Sequence, residues 1–224
     1  MERHGLDHWI LEDHRWAERV AIGAWIVAGL LFLAMAIGPV RRNIDAFDMW
    51  FHELTYPIKW GPLTALSYVM AFLGSVYVVW PLRIVVTAFL TVRRRWVGLG
   101  AWLLAIALSE PLIGLLKLLY NRPRPPNHLV VEATSAFPSG HAIVGSVVAL
   151  SLVIVLVPRG PARRNLEMAA AAFAFVMAGS RVYLGAHWLT DVFAGLALGA
   201  ACALGGAAIA QRWFLARWGS QANS

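Results

Sequence analysis

The chain has 224 residues, of which 59% are hydrophobic and only 14% charged, with a formal net charge of +7. That is too little charged surface for a soluble domain of this length. The basic residues are distributed by loop rather than gathered on one face, which argues against a nucleic-acid partner. Charge-free blocks run from Val20 to Val40, Gly61 to Leu82 and Val192 to Ala210, and Ala136 to Pro158 carries only His141. A membrane-crossing helix needs roughly 20 apolar residues, and in hydrocarbon each backbone amide must be satisfied within its own segment. In chain order the sequence predicts six spans, at about 19–39, 61–91, 97–119, 139–158, 165–183 and 188–212. The second block is too long for one straight span and contains Pro81, so it is expected to tilt, kink or begin in the interface. The third carries Glu110 and Lys117. Between the first two, Asn43 to Trp60 mixes Phe47, Met49, Trp50, Phe51 and Leu54 with Asp45, Asp48, His52 and Glu53, the pattern of an interfacial helix. The expected fold is all-α: a polytopic six-helix bundle, one domain over residues 1–224, with its polar motifs within about 110–195.

Trp16, Trp60, Trp96, Trp188 and Trp213 fall near expected helix ends and read as headgroup-level anchors. Cys202, the single cysteine, lies in an Ala- and Gly-rich run and reads as a small core residue. Arg3, Arg15 and Arg19, then Arg93 to Arg95, then Arg159, Arg163 and Arg164, then Arg212 and Arg217 all fall on one side of a six-span chain. The positive-inside rule makes that side cytoplasmic, with both termini inside and loops one, three and five outside. Ala34-Met35-Ala36 resembles a signal-peptidase site, but the charged region before it is long and Gly38-Pro39 follows directly, so the first block is kept as a span.

Three polar clusters lie in the outward loops. Lys117 closes the third span, and Pro123, Pro125 and Pro126 forbid the helix from continuing, which leaves Arg122 and Arg124 on a stiff extended segment. Such a segment suits a phosphate, which guanidinium binds in a bidentate fashion and lysine as a point charge. Pro138-Ser139-Gly140-His141 opens the fourth block. Serine and glycine before an apolar run read as a helix N-terminus, where free amides favour anions, and an ionisable His141 at a membrane helix is costly without a role. In the third cluster Ser180-Arg181 precedes His187 and Asp191, which are four apart and share a helix face. The pair reads either as an activated nucleophile or base, or as a buried ion pair holding helices together.

Taken together, lysine–six residues–arginine–proline at Lys117 to Pro125, Pro138-Ser139-Gly140-His141, and Ser180-Arg181–five residues–His187–three residues–Asp191 resemble the type 2 phosphatidic acid phosphatase (PAP2) family, within the superfamily of lipid phosphatases and vanadium haloperoxidases. No motif position departs from the family pattern. The resemblance implies that His187 attacks phosphorus and becomes a phosphohistidine, that Asp191 orients it, and that His141 protonates the leaving oxygen and then deprotonates water. It further implies that Lys117, Arg124, Ser139, Gly140 and Arg181 hold the phosphate. The expected enzyme is a lipid phosphatase with no metal cofactor, in a bacterial inner membrane, with its active site facing out. A polyprenyl diphosphate of the undecaprenyl type is the favoured substrate, and a phospholipid monoester such as phosphatidic acid or phosphatidylglycerol phosphate is the alternative. A vanadium haloperoxidase is disfavoured because the chain spans the membrane. A lipid-binding or lipid-flipping protein is disfavoured because binding needs only the basic residues. Arg122 is expected to support the site from behind, and Glu110 reads either as a polar group on the bundle interior that does little or as a support for the site. Glu110 lies two helical turns before Lys117, about 10 Å along the axis, within reach of a neighbouring helix carrying Arg181.

Overall fold

The computed structural model describes residues 10–11 and 14–218, so Arg3 of the topology argument lies outside the described residues. Among the described residues eight helices follow one another: α1 (His14–Ala36), α2 (Gly38–Thr55), α3 (Gly61–Leu73), α4 (Val76–Val92), α5 (Trp96–Tyr120), α6 (Gly140–Leu156), α7 (Pro161–Tyr183) and α8 (Leu189–Trp218). Prolines open α2, α3 and α7, where a missing N–H costs nothing. The protein is an all-α, multi-pass membrane protein. α1, α5, α7 and α8 are each long and apolar enough to cross a bilayer, and α3 with α4 forms a bent pair that is so when taken together, giving up to five candidate crossings among the described residues. The remaining apolar block is α6, whose 17 residues span about 25 Å, short of a ~30 Å hydrocarbon core.

The second block breaks at Gly74 and Ser75, where α3 and α4 meet at 49°, while Pro81 sits inside α4. α8 is the central helix, packed against α1, α5, α6 and α7. Its contact with α6 is close because Gly195 and Gly199 carry no side chain: a Cβ there would lie 2.7 Å from the Ser139 carbonyl oxygen and 2.5 Å from that of Ile143. Small residues four apart allow this approach without a hydrophobic driving force between helices. The approach also sets the polar start of α6 against the start of α8, where Ser139 N–H donates to the Asp191 carbonyl at 3.0 Å.

Candidate active site

α5 ends at Tyr120 because Asn121 turns left-handed (φ 37°), its N–H returning to the Lys117 carbonyl at 3.2 Å. The turn throws Arg122 and Arg124 across the open ends of α7 and α8, as the prolines that follow require. Arg124 Nη1 donates to the Ala186 carbonyl at 2.5 Å and stands 3.3 Å from His187 Nε2. Lys117 Nζ donates to the Ser135 carbonyl at 2.6 Å and to Thr134 Oγ1 at 3.1 Å. At the start of α6, Ser139 is the N-cap, its hydroxyl accepting from Ala142 N–H at 3.5 Å, and a Cβ on Gly140 would lie 3.9 Å from the Lys117 side chain.

His187 is buried, between the end of α7 and the start of α8. Its Nδ1 lies 2.7 Å from the Ala136 carbonyl oxygen and 3.5 Å from Asp191 Oδ2, so with Nδ1 protonated the nearer acceptor is a backbone carbonyl rather than the expected carboxylate. Asp191 Oδ2 accepts Trp188 N–H at 2.8 Å, capping the first turn of α8, and its Oδ1 accepts from Arg122 at 2.5 Å. Burial, with Arg124, Lys117 and Arg181 nearby, holds His187 well below the usual histidine pKa. The imidazole is therefore neutral at pH 7, and in the tautomer that donates from Nδ1 its Nε2 lone pair faces Arg124. His141 Nε2 stands 3.1 Å from the Ala71 carbonyl oxygen of α3. That carbonyl is released by the helix break, because Ser75 N–H bonds to Phe72 instead.

Several residues of the site were not anticipated. Glu132, in the loop between α5 and α6, pairs with Arg181 and lies 3.9 Å from Arg124. Burial pushes its carboxyl up, but Arg181 and Arg124 outweigh that and hold it below the usual range. Trp188, expected as a membrane anchor, is buried and donates its indole N–H to the Pro123 carbonyl at 2.8 Å. The other four anchor tryptophans are exposed. Asp45 and Asp48 of α2 reach Arg122 at 2.5 and 2.8 Å. The ion partner of Glu110 is Arg83 of α4 at 2.6 Å, while Arg181 pairs with Glu132. Among the described residues, no group of three or more His, Cys, Asp or Glu side chains is placed to hold a metal ion.

The PAP2 superfamily sequence profile matches residues 98–215, more than half of the chain. The chain belongs to the PAP2 superfamily. It is 31% identical to phosphatidylglycerophosphatase B of Bacillus subtilis over 176 residues, covering 76% of this chain and 86% of that protein. It is 30% identical to an undecaprenyl-diphosphatase of Sulfolobus acidocaldarius over 187 residues, covering 78% and 85%. The fold is similar to the crystal structure of the transmembrane PAP2-type phosphatidylglycerolphosphate phosphatase of B. subtilis, with TM-score 0.72, 25% identity, and coverage of 88% of this chain and 96% of that one. Aquifex aeolicus LpxE follows with TM-score 0.58, 28% identity, and coverage of 70% and 92%. At the level of the family, the activity is that of a PAP2-type lipid phosphatase.

Proposed function

We propose that this PAP2 protein removes phosphate from a membrane lipid in two steps through His187. The observation that carries the reading is the two-sided grip on that ring: Nδ1 rests 2.7 Å from the Ala136 carbonyl and Nε2 faces Arg124 at 3.3 Å. In the first step the Nε2 lone pair forms a bond to phosphorus, the ester P–O bond breaks, and the leaving oxygen takes a proton from His141. In the second, His141 takes a proton from water, whose oxygen attacks phosphorus as the P–N bond breaks. Lys117, Arg124, Arg181, Ser139 and the Gly140 amide bind the phosphoryl oxygens and stabilise the charge that develops on them, usually the largest contribution. Glu132 occupies an anion's place between Arg181 and Arg124, and the incoming phosphate takes it over. The cations perform the neutralisation that a metal performs in other phosphatases.

Two headgroups suit such a cradle. The polyprenyl diphosphate favoured from the sequence has the Sulfolobus relative in its support. A phospholipid phosphomonoester has the Bacillus relative and the 0.72 fold match, and we rank it first. For topology, the reading is six crossings, with α6 short because it starts at the buried site rather than at the membrane surface. Both termini are inside, α2 lies in the outer interface, and the site faces out. A cysteine introduced as Asn127→Cys then reacts with an impermeant reagent outside intact cells, and one introduced as Gly160→Cys does not. The reverse pattern inverts the topology. The deciding assay compares phosphate release by purified protein from phosphatidylglycerol phosphate, phosphatidic acid and a polyprenyl diphosphate. Release from none of them contradicts the reading.

A further inference from the structure

α2 is built inside out. Its buried residues are the polar Asp48 and His52, while Phe47, Trp50 and Leu54 face outward. Burying a carboxylate is costly unless it is paired and hydrogen-bonded. Asp48 has both forms of compensation: Oδ2 accepts from Arg122 Nη2 at 2.8 Å and from the Thr190 hydroxyl at 2.5 Å, and Oδ1 accepts Thr190 N–H at 3.1 Å. None of these groups has a part in the reaction steps above.

We propose that Asp48 is a positioning residue for the nucleophile, fixing the Arg122 guanidinium and the first turn of α8 so that both hydrogen-bond acceptors facing His187 Nδ1 stay in place. The inference rests on His187 being the nucleophile. Those acceptors are the Ala136 carbonyl and Asp191 Oδ2, and Arg122 holds both residues. Its backbone carbonyl accepts Ala136 N–H at 2.9 Å, and its Nη1 donates to Asp191 Oδ1 at 2.5 Å. The same Nη1 donates to the Thr190 hydroxyl at 2.9 Å, so Asp48, Thr190 and Arg122 form a closed set of bonds.

Charge gives the second reason for the arrangement. A guanidinium bonded to Asp191 alone cancels the negative charge that stabilises His187 as it becomes cationic. Here three carboxylates share one guanidinium, because Asp45 also pairs with it. Arg122 therefore fixes Asp191 without silencing it.

The test is Asp48→Asn in the full-length protein, assayed on the lipid it turns over. The substitution keeps the shape and the acceptor for Thr190 N–H and removes the charge. The expected result is a kcat lower by roughly tenfold or more, the size of one lost charged hydrogen bond, with KM changed less than about twofold, since no phosphate contact is touched. On an Asp191→Asn background the same change has little further effect, because the two act on one group. Losses that multiply independently, an unchanged kcat, or a loss fully explained by the fraction of protein unfolded overturns the proposal. If Asp48→Asn does not accumulate, Thr190→Val, which removes only the hydroxyl shared by Asp48 and Arg122, is read by the same criteria. His187→Ala is assayed alongside. If it keeps turning over, the assignment of the nucleophile fails; if it is inactive while Asp48→Asn is normal, only the role of Asp48 fails.

Discussion

The Arg122 guanidinium meets the Asp191 carboxylate at 2.5 Å, with 2% and 0% of the two side chains exposed. A buried pair of this kind is worth little over an apolar pair, yet breaking it leaves an uncompensated charge at a cost of about 3–5 kcal/mol. Arg122→Lys keeps the charge but not the planar fork that reaches Asp191 and Asp48 together. The expected outcome is a protein that still binds vanadate but turns over roughly 100-fold slower. Vanadate titration beside steady-state kinetics checks this.

His187 carries a pH signature. Its pKa in the folded protein lies well below the usual 6.5, so the proposed nucleophile stays neutral further into acid than a free imidazole does. The acid limb of kcat/KM attributable to the free enzyme's nucleophile is expected below about pH 6.5. The stability contribution has the same sign. Because the unfolded chain takes up the proton first, the contribution of neutral His187 is present above about pH 6.5 and declines as pH falls toward the folded value. A kcat/KM profile and thermal melts over the same pH range measure both.

Gly74 leaves room for His141, the proposed acid–base group, by having no side chain. A Cβ there would lie 2.5 Å from His141 Cδ2 and 3.1 Å from Met177 Sδ, so Gly74→Ala pushes the ring away from the Ala71 carbonyl. Displacing a general acid costs about 10²- to 10⁴-fold where the leaving group needs a proton. The expected loss is therefore large for a lipid alkyl phosphate. With an aryl phosphate the first burst of phenolate is retained while later turnover is slow. Equal rates on both substrates by variant and parent contradict this role for the helix break.

Glu110 and Arg83 form an ion pair between α5 and α4, in which Arg83 Nε, its Nη2 and Glu110 Oε1 have no aligned hydrogen-bond partner. Glu110→Gln is expected to lower stability, because the buried Arg83 loses its ion partner, and to leave kcat/KM of the folded protein unchanged. The double variant Arg83→Met with Glu110→Met recovers most of the loss, because no charge is then stranded. Melting curves and kinetics on the same preparations separate the two effects.

What the sequence made legible was fixed by local chemistry. The apolar blocks became α1 and α3 to α8, and the motif residues Lys117, Ser139 and Arg181 fall at the end of α5, the start of α6 and the end of α7, with Arg124 and His187 in the loops beside them. What stayed hidden was long-range pairing. Asp48 meets Arg122 across 74 positions and Glu132 meets Arg181 across 49. Nothing in the short stretch around Glu132 marks it as the partner of a motif arginine. For Asp48 a signal was present: Asp48 and His52 lie four apart, opposite Phe47, Trp50 and Leu54. An amphipathic helix beside a membrane turns its apolar side to lipid, so its polar side must meet protein. Glu110 shows the converse limit, since its spacing from Lys117 fixed a helix face but not the helix that face would meet.

The most direct measurement is to trap the phosphorylated protein. His141→Ala is expected to slow release of phosphate from the intermediate but not its formation from an aryl phosphate, whose leaving oxygen needs no proton, so this variant, given an aryl phosphate labelled on phosphorus and quenched in alkali, is expected to carry the label. A phosphohistidine is labile to acid and stable to alkali, and the label is expected to map to the peptide containing His187. It is expected to be absent from the His187→Ala, His141→Ala double variant, and His187→Ala alone is expected to release no phosphate. Label that survives acid, label on another residue, or near-normal phosphate release by His187→Ala contradicts the account.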